Sequence, residues 1–160
     1  MEPCDPAVVA DVGAAFARYE QALVANDLAT LDDLFWHDER TVRIGLDDRQ
    51  DGFSAVRAFR RSQARQTPPR TLCDTSILTF GDDVAIVTTG FVPTDGSPEG
   101  RQSQTWIRFA DGWRVVAAHV SLAASWSGEP GREVLDARHH VDPLVAADRR
   151  DKSASKADRP

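Results

Sequence analysis

The feature that most constrains this chain is a change of period at Thr67-Pro68-Pro69. Before it, apolar residues recur at steps of three and four, as on one face of a helix. After it, four stretches over 71–80, 84–92, 101–109 and 113–122 are rich in β-branched and aromatic residues and are separated by Gly or Pro. Proline cannot continue a helix, so the helical half ends there and an antiparallel run of strands begins.

In the helical half, Val12, Phe16, Tyr19 and Leu23 lie on one stripe of a helix over 8–25, which puts Tyr19 on its buried face. Asn26-Asp27 interrupts the pattern, and Asp27 is placed to cap a second short helix in which Leu28, Leu31, Leu34 and Phe35 share a face. A short strand over 41–45, "TVRIG", follows. A polar, turn-rich stretch over 47–52 leads into a third helix carrying Phe53, Val56 and Phe59-Arg60 at helical spacing. Helix, helix, strand, helix and then four long strands specify an α+β domain, with helices packed on one face of a curved, mainly antiparallel sheet. Such a sheet closes into a cone with an interior.

The chain has 160 residues, enough for one core, and the domain is expected over 8–124 between an N-terminal arm (1–7) and a flexible tail (125–160) with a helical turn near 134–138. Nothing approaches the apolar run of a membrane span, and the acidic N-terminus lacks a basic segment followed by an apolar one, so cytoplasmic residence is expected. A net charge of −6 disfavours nucleic acid, and the local cluster of Arg57, Arg60, Arg61, Arg65 and Arg70 does not reverse it. Anion binding must therefore rely on one or two arginines set in a pocket. Cys4 and Cys73 are expected to be free thiols. The four histidines, His139 and His140 among them, show no metal-ligand spacing, so neither metal nor cofactor is expected.

Asp111-Gly112 between two strands signals a two-residue hairpin that makes Ala110 and Trp113 neighbours. Counting outward pairs Trp106 with Ala117, Gln104 with His119 and Gln102 with Ser121. Gln102, Gln104, Trp106, His119 and Ser121 then form one polar patch around an indole, as in many small-molecule pockets. Taken singly, each candidate also has an ordinary explanation: Tyr19 as core filler, Arg43 as a surface charge, His119 as a structural histidine and the patch as an exposed or interface surface.

The stretches "FARYEQAL" (16–23), "LDDLFW" (31–36), "TVRIG", "FR" (59–60) and "GRQSQTWIRFADGWRVVAAHVS" (100–121) together resemble the AtzH-like family, which includes HpxZ, in order and in spacing. The resemblance implies the cone of nuclear transport factor 2, shared with SnoaL-like cyclases and ketosteroid isomerases. It also implies a decarboxylating amidohydrolase of bacterial nitrogen catabolism that converts 1,3-dicarboxyurea to allophanate, without a cofactor. By motif, the catalytic pair falls on Tyr19 and Arg43, with Trp36 and the patch residues as candidate substrate contacts. Val42 and Ile44 are expected in the core, with Arg43 pointing into the cone and Tyr19 across from it.

The implied partners are a small anionic ureide, a second copy in a homodimer or larger homo-oligomer, and a separate amidase. Two other readings stay open. One is a ketosteroid-isomerase-like enzyme, although no acidic residue stands on the inward strand faces. The other is a non-catalytic accessory or assembly module, since the last two strands also resemble the association domain of calcium/calmodulin-dependent kinase.

Overall fold

A computed structural model describes residues 3–63 and 67–123. Helix α1 (Pro6–Ala25) begins where the Asp5 carboxylate accepts the amides of Ala7 (2.8 Å) and Val8 (3.4 Å). It ends at Asn26, whose left-handed backbone (φ 53°) turns its N–H back to the carbonyls of Ala22 and Leu23. Asp27 then caps α2 (Leu28–Asp33), accepting the Thr30 amide at 3.1 Å. The α1 stripe Val8, Val12, Phe16, Tyr19 and Ala22 is buried, and Leu31, Leu34 and Phe35 are sealed beneath it. Burying each large apolar side chain here contributes roughly 1.5–3 kcal/mol.

The other elements are β1 (Val42–Ile44), β2 (Arg49–Asp51), α3 (Phe53–Ser62), β3 (Arg70–Phe80), β4 (Val84–Pro93), β5 (Gly100–Phe109) and β6 (Gly112–Leu122). They build one six-stranded sheet in the order β2-β1-β6-β5-β4-β3, antiparallel except where β1 runs parallel to β6. The helices cover one face of this sheet, and Ala85, Val87, Trp106, Trp113 and Val115 meet them in the core. The expected α+β cone is the fold that forms. Bulges at Cys73/Ser76 and at Thr105/Trp106 help to curve it. Ahead of α1, Pro3 bridges Phe80 and the Cys4 amide donates to the Thr79 carbonyl at 3.1 Å.

Three expectations are corrected. The stretch over 47–52 is more than a turn, because Arg49–Asp51 forms β2 and pairs with β1. Its inward residue, Gln50, is buried, and a hydrogen bond to Arg43 repays that burial. Neither Val42 nor Ile44 is in the core: Val42 is only partly buried and Ile44, of the same parity, is 37% exposed on the outer face, while Thr41 and Arg43 point inward.

The third correction is the hairpin register. Ala110-Asp111 makes the turn, Phe109 pairs with Gly112 (φ 116°), and Trp106 pairs with Val115. Val116 is then the extra residue of a bulge, beyond which Thr105 pairs with Ala117, Gln104 with Ala118 and Gln102 with Val120. Alternation from Trp113 would have carried His119 and Ser121 inward, but the bulge resets the parity and turns both to the outer face.

The tail over 125–160, its expected helical turn, and His139 and His140 lie outside the described residues. Among the described residues, no helix is long and apolar enough to cross a membrane, no group of three or more His, Cys, Asp or Glu side chains could hold a metal, and Cys4 and Cys73 are free thiols.

Candidate active site

The helical face and the inner sheet face enclose a cavity of about 550 Å³, and Tyr19, Arg43, Arg60, Arg70 and Gln102 all line it. Tyr19 reaches it because the α1 stripe places it over the sheet. There its ring lies edge-on to Trp106 (centroids 6.3 Å apart, 89°) and 6.3 Å from Phe35. Arg43 reaches it from β1, 19% exposed, with its guanidinium carbon 4.4 Å above the Phe59 ring. Its Nη1 donates to Gln50 Oε1 (2.7 Å) and Asp48 Oδ1 (3.1 Å). Both bonds leave from that one nitrogen, so part of the guanidinium fork remains available for a carboxylate.

Gln102 is held inside the wall. Its Oε1 accepts from Arg70 Nη2 at 3.1 Å and its amide donates to Glu20, while Arg70 grips the Glu20 carboxylate through Nε (3.1 Å) and Nη2 (2.8 and 2.9 Å). The Arg70 guanidinium also sits 4.4 Å above the Phe91 ring. Gln104 and Trp106 stand behind the cavity rather than in it: both are buried, and the indole N–H donates to Gln104 Oε1 at 3.1 Å. They support Tyr19 from below.

Three candidates are elsewhere. Trp36 stacks on Phe109 with centroids 5.7 Å apart. Phe109 lies seven residues along β5 from Gln102, or roughly 23 Å at ~3.3 Å per residue. His119 and Ser121 line a separate groove on the outer sheet face with Asp74, Thr88, Arg101 and Ser103. The single polar patch expected around Trp106 is therefore divided between the two faces of the sheet.

Arg60 and Arg70 are wall residues that the sequence motifs and the arginine cluster included but to which no site role was assigned. Arg60 follows Val56 by four residues on α3, which puts it on the buried side. Arg70 has the same parity as the partly buried Leu72. Those positions are the available signal, but charge masks it. Burial pushes the Arg60 pKa below its usual value. Its interaction with Tyr19 opposes this, and neighbouring Arg43 adds to it.

Helices laid over one face of a curved sheet, with an arginine-lined cavity between the two layers, define a nuclear-transport-factor-2-like cone protein. The chain belongs to the AtzH-like family, which it matches over residues 2–125.

A crystal structure of a DUF3225-family protein of unknown function from Pectobacterium atrosepticum SCRI1043 is 48% identical, covering 76% of this chain and 95% of that one, with a TM-score of 0.73. A cystatin-like-fold protein from Burkholderia xenovorans LB400 is also 48% identical, covering 78% and 98%, with a TM-score of 0.74. A nuclear-transport-factor-2-like superfamily protein from Salmonella enterica serovar Typhimurium LT2 is 25% identical, covering 78% and 98%, with a TM-score of 0.61. None of the curated proteins matches this chain.

Proposed function

We propose that this protein decarboxylates a small N-carboxylated urea of the 1,3-dicarboxyurea type, with Arg43 as the carboxylate clamp and Tyr19 as the proton donor. The observation that carries this reading is that Tyr19 and Arg43 line one cavity, together with the guanidinium groups of Arg60 and Arg70. Family membership supports the same chemistry.

An N-carboxylate loses carbon dioxide readily once its nitrogen accepts a proton. As the N–C bond breaks, its electron pair stays on nitrogen, the Tyr19 O–H proton becomes the new N–H, and carbon dioxide departs. The phenolate left behind regains a proton from water. Arg43 is suited to hold the departing group because a guanidinium meets a planar carboxylate through parallel N–H bonds, and because Gln50, Asp48 and Phe59 fix its orientation.

The direct test mixes purified protein with 1,3-dicarboxyurea and follows carbon dioxide. Turnover that Tyr19→Phe cuts to a small residual rate while leaving binding largely intact supports the reading. Equal turnover by Tyr19→Phe and wild type sinks it, and absence of turnover together with tight binding to an amidase subunit favours an accessory role.

A further inference from the structure

The cavity wall holds a third arginine for which the carboxylate clamp gives no role. The Arg60 guanidinium carbon lies 4.2 Å above the Phe35 ring and Nη1 donates to the Leu31 carbonyl at 3.2 Å. Tyr19 packs against the same Phe35 ring and lines the same cavity. The Asp32 carboxylate attracts it, but Asp32 Oδ2 is engaged by Arg57 (3.3 Å) and Arg61 (2.8 Å). Among the described residues, Arg60 therefore has no carboxylate at ion-pair distance. Arg43 and Arg70, by contrast, are paired with Asp48 and Glu20. A partly buried cation beside a second cation and without a counter-ion favours negative charge on an oxygen near it. Tyr19, packed on the same Phe35 ring, brings an ionisable oxygen to that cavity.

We infer that Arg60 is the positioning residue of the proton transfer: it aims the Tyr19 hydroxyl and holds the negative charge left on its oxygen when the proton passes to the substrate nitrogen. This rests on the reading of Tyr19 as proton donor. The Tyr19 O–H bond breaks, the substrate N–H bond forms, and the phenolate stays beside the Arg60 guanidinium until water returns a proton. A donor fixed in place before the reaction stabilises the charge where it develops, without the reorganisation that water would need.

The test compares kcat and KM of wild type, Arg60→Gln, Arg60→Lys, Tyr19→Phe and the Tyr19→Phe/Arg60→Gln double variant in the carbon dioxide assay, with thermal melts as the check on folding. Arg60→Gln is expected to lower kcat about a hundredfold while KM stays within about threefold of wild type. Arg60→Lys keeps the charge but loses the fork, and is expected to recover about tenfold of that loss. In the Tyr19→Phe background, adding Arg60→Gln is expected to cost less than about threefold, because two groups acting as one unit are not additive.

The inference is overturned if Arg60→Gln keeps wild-type kcat, if its loss appears in KM as for a substrate ligand, or if its loss multiplies in full with that of Tyr19→Phe. Should Arg60→Gln fail to fold, Arg60→Lys decides: a reduced kcat at unchanged KM supports the inference, and a raised KM at unchanged kcat overturns it. An inactive Tyr19→Phe beside a fully active Arg60→Gln defeats this inference alone. A fully active Tyr19→Phe defeats the function reading beneath it.

Discussion

Arg70 and Glu20 form a two-pronged ion pair inside the cavity wall, with side chains 5% and 11% exposed. Removing one partner strands a charge in a nearly dry site. Glu20→Ala is expected to destabilise the fold by about 3–5 kcal/mol in urea unfolding. A loss under about 1 kcal/mol would show that water reaches Arg70.

At Arg43, lysine keeps the charge but loses both the planar fork and the stacking over Phe59. Arg43→Lys is expected to weaken substrate binding about tenfold or more, read as a raised KM for dicarboxyurea or by calorimetry with an inert analogue. Arg43→Ala is expected to weaken it further. Unchanged affinity in Arg43→Lys would remove the clamp assignment.

The β6 bulge makes a prediction about residues that sequence alone would group together. His119→Ala and Ser121→Ala, both on the outer face, are expected to leave kcat and KM within about twofold of wild type. Gln102→Ala withdraws a buried partner from both Arg70 and Glu20 and is expected to raise KM and lower the melting temperature. A large KM effect from His119→Ala would contradict the placement.

Trp106 and Gln104 satisfy each other beneath Tyr19. Gln104→Leu leaves a buried indole N–H without an acceptor and is expected to cost about 1–3 kcal/mol in stability, measured by chemical denaturation followed by tryptophan fluorescence.

On the loop before β1, Arg40 donates two hydrogen bonds to the Asp38 carboxylate (2.7 and 2.9 Å), and the Arg40 amide donates a third (2.9 Å). These, with charge attraction to Arg40, lower the Asp38 pKa from its ordinary 3.8 to about 2. A carboxylate held lower in the folded state than in the unfolded chain stabilises the fold in full above the unfolded value. That contribution is lost as pH falls through the folded one. Asp38→Asn is therefore expected to flatten the decline in melting temperature between about pH 4 and pH 2, and an unaltered profile would argue against the pairing in solution.

The sequence determined what local chemistry can determine. The α1 stripe carried Tyr19 inward, Asn26 and Asp27 ended one helix and started the next, and the four β-rich stretches became the four long strands within a few residues. These features rest on spacing, capping and proline, which act over a few residues. Even Arg43 was placed by a motif only five residues long.

Tertiary structure decided the rest. The bulge at Val116, invisible in a run of Val, Ala and His, took His119 and Ser121 out of the site. Residues 49–51 became a strand because β1 offered them an edge. Glu20 and Arg70, fifty residues apart in the chain, became one neutral unit, and Arg60 lost its claim on Asp32 to Arg57 and Arg61. A charged side chain goes inside only when a distant partner, ring or backbone carbonyl meets it there, and such meetings exist only once the sheet has closed under the helices.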